Sequence, residues 1–257
     1  MKLKRNLTHK EAISKIMEKK EFSKLPEKDV ERVFKLFDEK NLILEEKIKC
    51  SRDILRKMYS VFASNKLLNK KFNSPEWFLK KHISTRERLG SYEQLYSRLL
   101  RGGETIFDFG AGVNGFSFEF FPKKVNYFAL EAVGQLVDLM NSYFESNSFK
   151  AKAIHGSLFD IELVKGMIRK EKGKKVVFLF KVLDSLEMFE KNFSKKFLLE
   201  IGLLVEKIVV SYATESLISR KKFYSNRKWL KDFISENFAL LEDFELGGEK
   251  YLVFSKR

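Results

Sequence analysis

The feature that most constrains this chain is a change of grammar at Gly102-Gly103. Downstream of the two glycines, short runs of β-branched and aromatic residues alternate with helical stretches. The pattern predicts strands at Thr105 to Phe109, Val125 to Leu130, Phe149 to Ile154, Lys175 to Phe180 and Lys207 to Tyr212. Strands separated by helices pair through crossovers, which gives a mostly parallel sheet covered by helices on both faces. The closing segments, Phe238 to Phe244 and Tyr251 to Phe254 around Gly247-Gly248, read as an antiparallel hairpin at the sheet edge. The expected fold is α/β: a Rossmann-like, seven-stranded, mostly parallel sheet with an antiparallel edge hairpin, preceded by an α-helical N-terminal region.

Upstream of the glycines the apolar residues recur at helical intervals. A helix is expected from about residue 9 to 19, a second after Pro26 with Val30, Val33, Phe34 and Phe37 on one face, and a third from about 42 to 63. Ser74-Pro75 opens a short helix, and Ser84 with Glu87 three residues later has capping-box spacing for another. The chain therefore divides into a helical region, 1–100, and an α/β domain, 101–257. Charge divides the same way. Of the net +15, the helical region carries most of the excess, an electrostatic footprint suited to a polyanion whose condensed counterions are released on contact.

One cysteine, Cys50, excludes an intrachain disulfide and a cysteine-built zinc cluster, and no metal site is expected. There is no apolar N-terminal leader and no run long enough to span a membrane, so a cytoplasmic protein with no membrane partner, and a monomer, is expected.

The end of the first strand reads Asp108-Phe109-Gly110-Ala111-Gly112, followed by Asn114, and an acid, Glu131, ends the second strand. In open α/β sheets ligands bind beyond the carboxyl ends of the strands, where glycines let the backbone approach, and a second-strand acid accepts from ribose hydroxyls. Gly110, Gly112 and Gly115 also satisfy the dinucleotide pattern literally, which leaves a nicotinamide enzyme open. Asp108 tilts the reading. A carboxylate suits a cofactor with an amino group and repels a pyrophosphate, so Asp-x-Gly-x-Gly resembles S-adenosylmethionine-dependent methyltransferases.

Other segments extend the resemblance. His82-Ile83-Ser84-Thr85-Arg86-Glu87-Arg88-Leu89 resembles the His-x-Ser-Thr-(Lys/Arg)-Glu-Arg-Leu motif of the 16S ribosomal RNA methyltransferases that confer aminoglycoside resistance by modifying guanine N7. Phe180-Lys181-Val182-Leu183 is similar to that family's Phe-Lys-x-Leu-Pro, and Val210-Ser211-Tyr212-Ala213-Thr214 to its Val-Ser-(Phe/Tyr)-Pro-Thr. The likeness covers about residues 75 to 257 and suggests a divergent or archaeal-like member. It implies a class I methyltransferase domain, S-adenosylmethionine as cofactor, and 16S ribosomal RNA, within the 30S subunit or ribosome, as partner. By this resemblance Arg86 holds the cofactor carboxylate; Asp108, Phe109, Gly110, Ala111, Gly112 and Asn114 form the loop around its methionine part. Glu131 takes the ribose, and Ser157 and Leu158 flank the adenine. The chain departs from the family at Gly156, where an Asp is usual and Asp160 follows four residues on, and at Asp184 and Ala213, which replace prolines.

Guanine N7 carries an in-plane lone pair and no proton, so its methylation requires alignment and no general base. Cytosine N4 must lose a proton, and its enzymes want an acceptor. Lys181 and Asp184 are the candidate catalytic residues, the second as that acceptor; guanine N7 comes first and cytosine N4 is the alternative. A small-molecule methyltransferase, indifferent to loss of residues 1–72, and an inactive RNA-binding factor are the readings from other classes. Candidate phosphate contacts are Lys4, Arg5, Lys10, Lys66, Lys70, Lys71, Lys80 and Lys81 in the helical region, and Arg220, Lys221, Lys222 and Arg227 beside the predicted site.

Overall fold

The computed structural model describes residues 9–60, 74–214 and 227–257. Lys4, Arg5, Lys66, Lys70, Lys71, Arg220, Lys221 and Lys222 lie outside the described residues.

The helical region comprises α1 (His9–Met17), α2 (Glu27–Lys35), α3 (Leu44–Leu55, continued by a π turn, Arg56–Ser60), α4 (Pro75–Lys81), α5 (Ile83–Arg88) and, after a short 3₁₀ turn, α6 (Tyr92–Leu99). On α2, Val30, Val33 and Phe34 recur at the i, i+3, i+4 spacing and are all buried. Asp29 on the same helix is buried as well, a charge where the pattern predicts a solvated face. The residue before α5 is His82, so Ser84 sits inside that helix and does not cap it. Its hydroxyl instead accepts a 2.5 Å hydrogen bond from Arg88 one turn later.

The α/β part contains β1 (Thr105–Phe109), β2 (Asn126–Glu131), α7 (Gly134–Ser146), β3 (Ala151–His155), α8 (Ile161–Lys170), β4 (Lys175–Phe180), α9 (Leu183–Phe189), α10 (Phe193–Gly202), β5 (Lys207–Ala213), α11 (Lys228–Asn237), β6 (Ala239–Leu246) and β7 (Glu249–Ser255). The seven strands are ordered β3-β2-β1-β4-β5-β7-β6. The first five are parallel, and β7 inserts antiparallel between β5 and β6. After β1 the chain moves outward through β2 and β3, then returns to β4 on the other side of β1. Beyond the carboxyl ends of β1 and β4 the outgoing connections diverge, leaving a crevice.

Every residue of β1 is buried, as a strand covered on both faces requires. Alternation sorts its side chains: Phe107 and Phe109 pack with Leu130, Val177, Phe197 and Ile201 on one face, whereas Ile106 packs with Tyr96, Tyr127 and Phe178 on the other. The helical segments belong to this second face. One continuous apolar cluster runs from Ala12 and Phe22 through Phe78 and Tyr96 to Tyr127 and Met140. Backbone bonds anchor the docking, with the Gly134 N–H donating to Lys24 O at 3.1 Å and the Gln135 amide to Lys20 O at 2.9 Å. Among the described residues no helix is long and apolar enough to cross a membrane.

On the first face Gly202, closing α10, lies against Phe238: a Cβ there would stand 2.4 Å from the ring. Overpacking of this kind costs about 1 to 3 kcal/mol, so Gly202→Ala lowers the urea midpoint by a corresponding amount with an unchanged slope.

Candidate functional site

The crevice holds a cavity of about 480 Å³, lined from β3, β2, β1, β4 and β5 at their carboxyl ends and from α2, the π turn and α5. Its size suits a small-molecule cofactor. Gly110 and Gly112 both take left-handed conformations, with φ of +71° and +57°. Neither position admits a side chain: a Cβ at Gly110 would stand 2.5 Å from Val182 and one at Gly112 would stand 3.1 Å from the His82 ring.

The acids come from strand ends. Glu131 closes β2, and its carboxylate accepts from the backbone N–H of Gly112 at 2.7 Å and of Val133 at 2.8 Å. Asp108 lies inside β1, where Oδ2 accepts from the Asn114 amide and the Tyr127 hydroxyl, each at 2.7 Å. Burial raises both carboxyls above their ordinary range, and these hydrogen bonds oppose the rise.

Arg88 is the cavity's buried cation. Its guanidinium donates to Glu249 at 2.9 Å, to Asn114 Oδ1 at 2.7 Å and to Ser84, and lies 4.9 Å from the Phe180 ring centroid. Asn114 also accepts from the Tyr92 hydroxyl at 2.8 Å and donates to Tyr96 at 3.2 Å. Lys181, with φ of +58° at the end of β4, turns its ammonium to Glu87 at 2.5 Å and Glu249 at 3.1 Å. Burial opposes the charge on Glu249, but Arg88 and Lys181 hold its carboxyl below the usual range.

Asp108, Gly110, Ala111, Gly112, Asn114, Glu131, Leu158, Lys181, Asp184 and Arg227 therefore meet at one cavity. Three expected site residues, Arg86, Phe109 and Ser157, are not part of the lining. Arg86 is exposed and points away; with α5 beginning at Ile83, Arg88 shares the face of Ser84 and takes the cavity position. Phe109 projects to the opposite sheet face, its ring 6.2 Å from Phe197. The Ser157 hydroxyl donates to Asp29, itself a cavity residue, and Asp160 caps α8 by accepting from the Leu163 N–H. Asp184 and Arg227 are paired with each other, so the candidate acceptor and the candidate phosphate contact engage one another at the cavity. Lys10, Lys80 and Lys81 are exposed, Lys80 pairing with Glu76 at 2.6 Å and Lys81 standing over Trp77 at 5.4 Å. Among the described residues no group of acids, histidines and cysteines could hold a metal ion.

Among the cavity residues not singled out from the sequence are Arg88, Asp29 and Tyr59. Arg88 lies in the same motif as Arg86, two residues further on. Asp29 and Tyr59 come from the helical region and carry no local motif.

No protein-family model matches the chain, and no curated protein matches it by sequence. Solved structures do. The 16S rRNA methylase RmtB superposes with a TM-score of 0.79 at 15% identity, covering 98% of this chain and 100% of its own. The 16S rRNA methyltransferase RmtF, in complex with S-adenosyl-L-homocysteine, gives 0.77 at 18% identity over 97% and 98%. An rRNA methylase from Escherichia coli gives 0.74 at 16% identity over 97% and 100%. The chain has the class I methyltransferase fold with an N-terminal helical extension.

His82 closes the cavity behind Gly112. Burial, with Arg88 and Lys181 nearby, lowers its imidazole from the ordinary 6.5 to about 3, so it is neutral when folded. Between those pH values the unfolded chain binds a proton that the folded one does not; this contribution to stability is complete above pH 6.5 and is lost as the pH falls. His82→Asn removes the linkage. The stability difference between native protein and variant therefore moves in the variant's favour by about 1.4 kcal/mol per pH unit below pH 6, measured by urea unfolding.

Proposed function

We propose that the chain is an S-adenosylmethionine-dependent methyltransferase that modifies a base of small-subunit (16S) ribosomal RNA, with guanine N7 as the acceptor atom. The observation that carries the cofactor assignment is the charge arrangement of the cavity. Arg88, Lys181 and Arg227 each carry an acid of their own, in Glu249, Glu87 and Asp184. Asp29, Asp108 and Glu131 are held by hydroxyls, an amide side chain and backbone N–H groups, so their charge is solvated by neutral dipoles. Such a cavity favours a cationic ligand and disfavours a pyrophosphate.

The residues present fit the cofactor. When bound, S-adenosylmethionine supplies an electrophilic methyl group on a sulfonium. Arg88 is placed to hold a carboxylate with the guanidinium hydrogens left by its three described bonds. Asp108 is placed for an ammonium and Glu131 for a ribose diol. Leu158, Phe159 and Phe189 supply an apolar slot for a purine beyond β3.

The nucleic-acid reading rests on the basic excess of the helical region and on the substrates named for RmtB and RmtF, which share the whole architecture. Guanine N7 is favoured over cytosine N4 because the candidate proton acceptor, Asp184, is engaged by Arg227. Positioning by Lys181 and the glycine loop suffices for a ring nitrogen that carries no proton. The acceptor base reaches the cavity mouth unstacked from its neighbours. Removal of residues 1–72 no longer separates RNA from small-molecule substrates, because it would strip Asp29 and Tyr59 from the cavity wall.

Incubation with labelled S-adenosylmethionine and either 30S subunits, naked 16S RNA or bulk transfer RNA, followed by nucleoside analysis, tests the proposal. Label is expected in the small subunit or its RNA as 7-methylguanosine. N4-methylcytidine would overturn the base assignment, and no label despite measured cofactor binding would overturn the RNA assignment. Asp184→Asn is expected to keep kcat within about threefold, whereas a required proton acceptor would cost about a hundredfold or more.

A further inference from the structure

At the β3 end of the cavity stands a carboxylate that no strand supplies. Asp29, on α2, is 1% exposed and lines the cavity beside Gly156, Leu158 and Phe159. It is held from two directions. The Ser157 hydroxyl donates to Oδ1 at 2.6 Å, and the Tyr59 hydroxyl donates to Oδ2 at 3.0 Å. Ser157 is itself fixed by the Phe159 N–H, which donates to its oxygen at 3.1 Å. A residue from the π turn and one from the loop after β3 thus converge on one buried acid of α2, 128 residues of sequence separating Asp29 from Ser157.

The cluster faces an apolar slot. Phe159 and Phe189 meet edge to face with centroids 5.1 Å apart, and Leu158 and Leu186 complete the wall. A carboxylate offers about four acceptor positions, and the described hydroxyls use two. Both hydroxyl hydrogens are directed at the acid. The surroundings therefore present acceptors to a ring lying in the slot, and the group that satisfies them is an exocyclic amine.

We propose that Asp29 is the specificity-determining acceptor for the 6-amino group of the cofactor's purine, so that the helical region closes the cofactor site as well as extending the surface. This rests on the cofactor reading above. Asp160, the nearest acid after β3, is engaged in capping α8, and Asp29 enters the same end of the cavity from across the structure. The consequence is specific: a purine with an oxygen at position 6 sets a carbonyl against a carboxylate and is rejected.

The test is equilibrium binding of S-adenosylhomocysteine and its 6-oxo counterpart, S-inosylhomocysteine, to the full-length protein and to Asp29→Asn and Tyr59→Phe. The native protein prefers the amino compound by about tenfold or more, as expected for a hydrogen bond to a charged group. Asp29→Asn, whose amide can donate to a carbonyl, brings the ratio to about one or inverts it, while Tyr59→Phe keeps the acid and keeps the preference. Equal binding of both compounds by the native protein, or an undiminished preference in Asp29→Asn, overturns the assignment. If Asp29→Asn does not fold, Tyr59→Phe and the native protein still decide it: loss of preference in Tyr59→Phe with the acid intact, or none in the native protein, overturns it. Failure of the native protein to bind either compound overturns the cofactor reading itself, a distinct outcome.

Discussion

The site depends on one buried amide. Asn114 accepts from Arg88 and Tyr92 and donates to Asp108 and Tyr96, so its buried side chain joins a cation, an anion and two phenols. A guanidinium as enclosed as Arg88 is stable only when its hydrogens are met, and removing a single partner from such a network leaves a desolvated charge. Glu249 supplies the neutralising charge from β7, Ser84 and Asn114 supply the remaining described acceptors, and Phe180 lies beneath the guanidinium plane. Through these bonds α5, the loop after β1 and the last strand hold one position relative to one another. The strand ends are thus cross-braced by protein groups alone, which is the preorganisation that alignment-driven chemistry needs.

The same network ties the helical region to the sheet. Tyr92 and Tyr96 on α6 reach Asn114 with their hydroxyls, while their rings stack on Phe120 and Phe121. Further along, Asp29 reaches Ser157, and Lys24 pairs with Asp138 on α7 at 2.5 Å. The polar contacts sit at the edges of a shared apolar cluster, so burial supplies the driving force and the hydrogen bonds set the register. Reading the chain as a helical region followed by an α/β domain describes the order of elements; the packing makes the cavity a product of both.

What the sequence revealed follows from where periodicity is strong. Strands β1 and β4 match their expected bounds, Thr105 to Phe109 and Lys175 to Phe180, because each is a short apolar run between turn residues. The edge hairpin was equally legible from Gly247-Gly248. The glycine loop and Glu131 were legible because their chemistry is local to two strand ends. Differences arise where a resemblance supplies a residue but not its orientation. Arg86, which the resemblance places on the cofactor carboxylate, is exposed, whereas Arg88, two residues on, shares the face of Ser84 and is buried. The bond from Ser157 to Asp29 was not legible because the two are distant in sequence and Asp29 sits on a helix whose pattern gives that position to solvent. No spacing within either segment encodes that pairing; it arises only when α2 docks.

The distribution of charge completes the physical picture. The chain carries fifteen excess positive charges, yet its cavity is lined by Asp29, Asp108, Glu131 and Asp184, with Glu249 and Glu87 directly behind. Arg88 on α5, Lys181 just after β4 and Arg227 just before α11 each meet an acid, which weakens their attraction for a phosphate there. The excess must therefore reside on the outside, where Lys10, Lys80 and Lys81 are exposed. A polyanion is drawn to that exterior, and the acid-paired Arg88, Lys181 and Arg227 offer it little inside, while a cationic small molecule is drawn inward. The arrangement requires acids buried deeply enough to be shielded from the basic surface, and the hydroxyls and amides around Asp29, Asp108 and Glu131 make that burial tolerable.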